Sequence, residues 1–146
     1  MPARRPMKIE IPEQKKFVHE CVIPIRWGDM DAMNHVNNTN YFRYLETARI
    51  DWMAQSGMMP KGGAGEGWVI ANAFCNFIRQ LEFPGDVRVR TYVSNPGRVT
   101  LDTWATIERT DEPGVVYAAG GATLIWVDFA AQKARTMPDW VRALAD

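Results

Sequence analysis

Trp27-Gly28-Asp29-Met30-Asp31-Ala32-Met33-Asn34-His35-Val36-Asn37-Asn38-Thr39-Asn40-Tyr41 joins an apolar strand-like run to an amphipathic helix. A plain connector of this kind is satisfied by a few Asn, Asp or Gly residues. This one carries two carboxylates, one imidazole and four Asn amides, and the excess marks it as the candidate active site. Downstream, Tyr41, Tyr44, Leu45, Ala48 and Trp52, with Ile50 and Met53, recur at three- and four-residue steps, which predicts a long helix burying a broad face. Its charged positions Arg43, Glu46, Arg49 and Asp51 mostly fall between the apolar ones, and Gly57 supplies a C-terminal cap. Upstream, Phe17 to Trp27 reads as a strand in which Pro24 removes a ladder donor, so an edge position or a bulge is expected.

Beyond the helix the chain is nearly all strand. After a Gly-rich connection from Met58 to Gly67, strand-like runs cover Trp68 to Ile78, Val87 to Ser94, Val99 to Arg109 and Val115 to Phe129. In the second of these, Val87, Val89, Thr91 and Val93 alternate with Arg88, Arg90, Tyr92 and Ser94, which implies one buried and one wetter face. The pair Gly120-Gly121 is expected to permit a bend or bulge, and Pro138 to Ala145 to form a short terminal helix. This order describes an α+β domain, a five-stranded, mainly antiparallel sheet wrapped around one long helix. One helix cannot cover both faces and edges of such a sheet, so a homodimer, or dimers paired into a homotetramer, is expected.

A chain of 146 residues fits one domain with a real core. Residues 1–16 read as a loose N-terminal arm and 17–146 as the domain. Seventeen basic residues balance seventeen acidic ones, so no net field recruits nucleic acid, and no long basic run suggests a membrane surface. Cys21 and Cys75 lack CxxC spacing and fall in apolar segments, reading as buried free thiols of a reducing compartment. The start of the chain lacks the apolar stretch of a signal peptide, and no run is long enough to span a bilayer, so a cytoplasmic protein is expected. The run Lys61 to Gly67 lacks the ending of a phosphate loop.

The segment Trp27 to Asn38, followed by Tyr41-Phe42-Arg43-Tyr44-Leu45-Glu46-Thr47-Ala48-Arg49, resembles the hotdog-fold acyl-CoA thioesterases of the 4-hydroxybenzoyl-CoA thioesterase type. The resemblance continues through Glu82-Phe83-Pro84-Gly85-Asp86-Val87 and Asn95-Pro96-Gly97-Arg98. One departure is Asn34 where the family often has Gly before the His. Asn is, after Gly, the residue that best tolerates a left-handed backbone, so the turn is expected to survive.

The resemblance implies an acyl-CoA substrate, no cofactor, and Asp31 as the catalytic carboxylate, acting as base or nucleophile on an already activated thioester. Without it, Asp31 reads as an Asx-turn or capping carboxylate, and Asp29 as structural. Asn38 falls at the helix start, where backbone donors and the positive dipole end offer an oxyanion site. Its plainer reading is N-capping, shared among Asn37, Asn38, Thr39 and Asn40. His35 is expected to shape the loop beside the ligand, and Tyr41 to line the acyl pocket or simply pack. Glu46 is a secondary carboxylate candidate, its alternative an exposed residue pairing with Arg49 or nearby. A metal held by Asp29, Asp31 and His35 lacks a fourth ligand. His19 reads as a partly buried strand histidine. Coenzyme A phosphates need cations, for which Arg79, Arg88, Arg90 and Arg98 are available. The competing reading is a non-catalytic hotdog module that binds an acyl thioester or a partner protein. A hotdog dehydratase is disfavoured, because the acid lies in the first loop.

Overall fold

The computed structural model describes residues 9–59 and 65–146. The predicted Gly-rich connection and the start of the N-terminal arm therefore lie partly outside the described residues. Six strands and two helices follow in the order β1 (Lys16–Pro24), α1 (Asn38–Gln55), β2 (Glu66–Phe77), β3 (Asp86–Ser94), β4 (Thr100–Arg109), β5 (Val116–Asp128), β6 (Lys133–Ala134) and α2 (Asp139–Ala145). The sheet runs β1-β3-β4-β5-β2, antiparallel throughout, and the two-residue β6 adds to β5 beyond the five strands expected. Pro24 is tolerated because β1 is an edge strand, which also carries a register shift between Phe17 and His19.

The alternation read in β3 is the one that folds: Val87, Val89, Thr91 and Val93 are buried beneath α1, while Arg88, Arg90, Tyr92 and Ser94 face outward. Leu101, Ala105 and Ile107 of β4 and Ala118, Ala122 and Leu124 of β5 extend this buried surface, giving the hotdog arrangement of a sheet wrapped on one helix. Helix α1 ends as expected, with Gly57 at φ +74°, its N–H donating to Ala54 O and the Met58 N–H to Met53 O. Gly120 and Gly121 differ from expectation. They sit in register opposite Cys75 and Phe74, and the register shift in β2 falls instead between Ile70 and Asn72. Glycine is required there by close approach, since a Cβ on Gly121 would run into the Thr103 carbonyl.

Two positions of α1 depart from the predicted pattern. Ile50 is 44 % exposed, whereas Arg49 is only 7 % exposed and sits beneath the sheet beside Thr91 and Thr103. Its guanidinium makes no hydrogen bond or ion pair among the described residues, and burial lowers its pKa from the ordinary arginine value. Arg49 separates two apolar clusters. Tyr41, Tyr44, Leu45 and Ala48 pack with Val87, Val89 and Ile107 on one side; Trp52 and Met53 pack with Val93, Leu124, Trp126 and Val141 on the other.

Candidate active site

The loop before α1 is built from its own polar groups. A short 3-10 turn over Trp27–Asp29 opens it, and the Asp29 carboxylate accepts from the Arg26 N–H at 2.9 Å and from the Tyr44 hydroxyl at 2.7 Å. Asp29 is thus the structural acid expected. Burial and that carboxylate push the Tyr44 pKa well up. The Asp31 N–H then donates to His35 O at 2.9 Å and the Asn34 N–H to Asp31 O at 3.0 Å, closing a tight turn between the bridged residues Met30 and Val36. Asn34 stands at φ +63°, the left-handed conformation that Asn was expected to tolerate in the glycine position.

Asn37 is the N-cap of α1, its side-chain oxygen accepting from the Thr39 N–H at 3.0 Å. Its side-chain Nδ2 donates to Asp31 Oδ2 at 3.2 Å, while Asp31 Oδ1 accepts from the Met33 N–H at 2.9 Å. Each Asp31 oxygen therefore has one donor and keeps further lone-pair capacity. The Asn38 N–H, first in the helix, has no partner among the described residues, the unspent donor expected of a helix N-terminus.

Asp31 and Asn38 line one cavity of about 670 Å³, together with His35 and Tyr41. Its opposite wall is Phe77, the last residue of β2, with Ile78, Arg79 and Gln80, which follow it out of the sheet. Tyr41 fastens the two walls: its hydroxyl donates to Arg79 O at 3.0 Å and accepts from the Leu81 N–H at 2.9 Å, while the Val36 N–H reaches Leu81 O at 2.8 Å. Tyr41 thus both lines the cavity and packs. His35 Nε2 lies 3.7 Å from Glu82 Oε1. Glu46 is elsewhere, 49 % exposed on its side chain and paired with Arg43 at 2.9 Å instead of Arg49; it does not line the cavity within this chain.

The four candidate arginines separate. Arg88 and Arg90 are committed to Glu20 and Glu108, and Arg98 donates to Thr136, whereas Arg79 lines the cavity. Asn37 and the wall from Phe77 to Gln80 carried no chemical signature in sequence beyond a capping residue and the end of an apolar run. His19 pairs with Asp51 at 2.7 Å on the strand-facing side of α1. Among the described residues no group of three or more His, Cys, Asp or Glu side chains is placed to hold a metal ion, and no helix is long and apolar enough to cross a membrane.

The family model of the thioesterase-like superfamily matches residues 25–144. The chain belongs to that superfamily. A solved structure from Pseudomonas aeruginosa, the PA2801 protein, provisionally described as a thioesterase, is 35 % identical with a TM-score of 0.83, over 88 % of this chain and 98 % of that one. A Xanthomonas campestris protein, provisionally described as an acyl-CoA thioesterase, is 33 % identical with a TM-score of 0.71, over 83 % and 100 %. The DHNA-CoA thioesterase of Staphylococcus aureus shares the fold at 23 % identity and a TM-score of 0.74, over 86 % and 87 %. No match was found among curated proteins.

Proposed function

We propose that this protein hydrolyses acyl-CoA thioesters to free acid and coenzyme A, as a thioesterase of the 4-hydroxybenzoyl-CoA type. The observation that carries the reading is the pairing, in one cavity, of the Asp31 carboxylate with the Asn38 N–H, which has no partner among the described residues. As base, Asp31 takes a proton from water while the water oxygen bonds to the thioester carbon. The Asn38 N–H and the positive end of α1 hold the tetrahedral oxyanion. The carbon–sulfur bond then breaks, and the departing thiolate takes the proton back from Asp31. As nucleophile, the carboxylate bonds to that carbon first, thiolate leaves, and water opens the resulting anhydride.

A thiol-release assay over a panel of short, long and aromatic acyl-CoAs tests the activity. Asp31→Asn keeps the shape and loses the base, so turnover should drop by about a hundredfold or more while acyl-CoA binding persists. Near-normal hydrolysis by that variant removes Asp31 from the mechanism and makes Glu46 the next carboxylate to test. The second reading, a non-catalytic acyl-thioester binding module, is favoured by one observation: the Asp31–Met33 hydrogen bond is an ordinary Asx-turn contact. Binding without thiol release from any member of the panel selects it.

A further inference from the structure

A second cleft, of about 530 Å³, is lined by Trp27, Met30, Asp31 and Phe83. Among the described residues, Asp31 alone lines both this cleft and the Arg79 cavity. The cleft is framed by aromatic surface of a kind rarely left bare: Trp27 is 77 % exposed, and Phe83 is also exposed. It is fixed from below, since the Phe83 N–H donates to the Met30 sulfur at 3.3 Å, and Arg109 holds the carbonyls of Glu82 and Pro84.

A thioester has two arms that meet at the carbon Asp31 would serve, and two clefts meet at Asp31. Charge decides which arm enters which. The Asp31 carboxylate is common to both clefts, and among the described residues no cation lines the Trp27 cleft, which therefore offers an anionic phosphate-bearing arm no counter-charge. The other cavity carries Arg79. We propose that the thioester straddles Asp31, with its phosphopantetheine arm on the Arg79 side and its acyl group in the Trp27–Phe83 cleft. The cleft then sets the acyl preference, and its aromatic walls suit a flat aryl group that can stack. This placement rests on the thioester reading above.

Binding measured on an Asp31→Asn background, with benzoyl-CoA, acetyl-CoA and free CoA as titrants, tests the placement independently of turnover. Adding Trp27→Ala should weaken benzoyl-CoA about tenfold, with acetyl-CoA and free CoA changed less than about twofold. Arg79→Gln should weaken all three about equally, by roughly fivefold. Phe83→Ala, at a second exposed position, should repeat the Trp27 pattern, with melting curves verifying that each variant is folded. The placement is overturned if Trp27→Ala weakens free CoA as much as benzoyl-CoA or leaves benzoyl-CoA unaffected. It is equally overturned if benzoyl-CoA fails to bind, or if Arg79→Gln shifts only the aryl-to-acetyl ratio. Absence of thiol release from the unmodified protein sinks hydrolysis alone, because the binding differences still decide where each arm lies.

Discussion

Asn37 holds two positions at once, capping α1 through its oxygen and steadying the Asp31 carboxylate through its nitrogen. A serine keeps the first role and loses the second, since its hydroxyl caps well but is too short to replace the amide donor. Asn37→Ser should therefore leave the melting temperature nearly unchanged and lower kcat by about tenfold, as expected for a loosened reacting group. Parallel loss of stability and activity would instead make Asn37 purely a cap. The two loop acids divide in the opposite sense. Asp29→Asn removes the charge that holds the Tyr44 hydroxyl and the Arg26 N–H, so urea unfolding should register a loss of about 1.5–3 kcal/mol, with activity falling far less than in Asp31→Asn.

Helix α1 was the most legible element, because spacing along a helix maps directly onto a face: Tyr41, Tyr44, Leu45, Ala48, Trp52 and Met53 are all buried. Trp52→Ala should cost ~3–5 kcal/mol in chemical unfolding, as for other deleted core aromatics. Periodicity failed at Arg49, since charge argues for solvent, yet the position lies under the sheet. Arg49 is largely buried, with no hydrogen bond or ion pair among the described residues, so Arg49→Met should be neutral or stabilising by about 1–4 kcal/mol; a large destabilisation would count against this view of the helix. The candidate site was legible only on its local side. Asp31, His35, Asn38 and Tyr41 lie within one short segment, and the structure gathers them. The facing wall reaches them through contacts such as Tyr41 to Arg79, between residues far apart in sequence, and no local pattern encodes such a meeting. The strands were readable where one face is buried, as in β3. Strand β1 was harder to bound: its apolar run reads on to Trp27, whereas the strand stops at Pro24 and Trp27 opens the 3-10 turn.

At the scale of the whole molecule, β2 has no strand partner on its outer edge among the described residues, and Val69, Ile70, Phe77 and the following Ile78 are exposed. A second copy is the simplest cover, and light scattering at micromolar concentration should return a dimer or tetramer; a monomer would oppose it. Stability should also decline in alkali. Burial pushes the Cys75 thiol up to about 11, against roughly 8.5 for an unfolded thiol, and raises Cys21, Tyr41 and Tyr44 as well. The neutral form is the one the fold favours, so this stabilisation is complete below the unfolded values and is lost as pH climbs through the folded ones. Urea midpoints should fall from about pH 9 upward, and Cys75→Ala should flatten the first part of that fall. The placement of Arg49 beneath the sheet has a consequence for motion. Because it interrupts the apolar packing between the two clusters, it is a natural seam for partial opening. Native-state hydrogen exchange should resolve two cooperative units, one holding the second half of α1 with Met137 and α2, the other holding the first half with the loop before it. Arg49→Met would join them, and their amides would then exchange together.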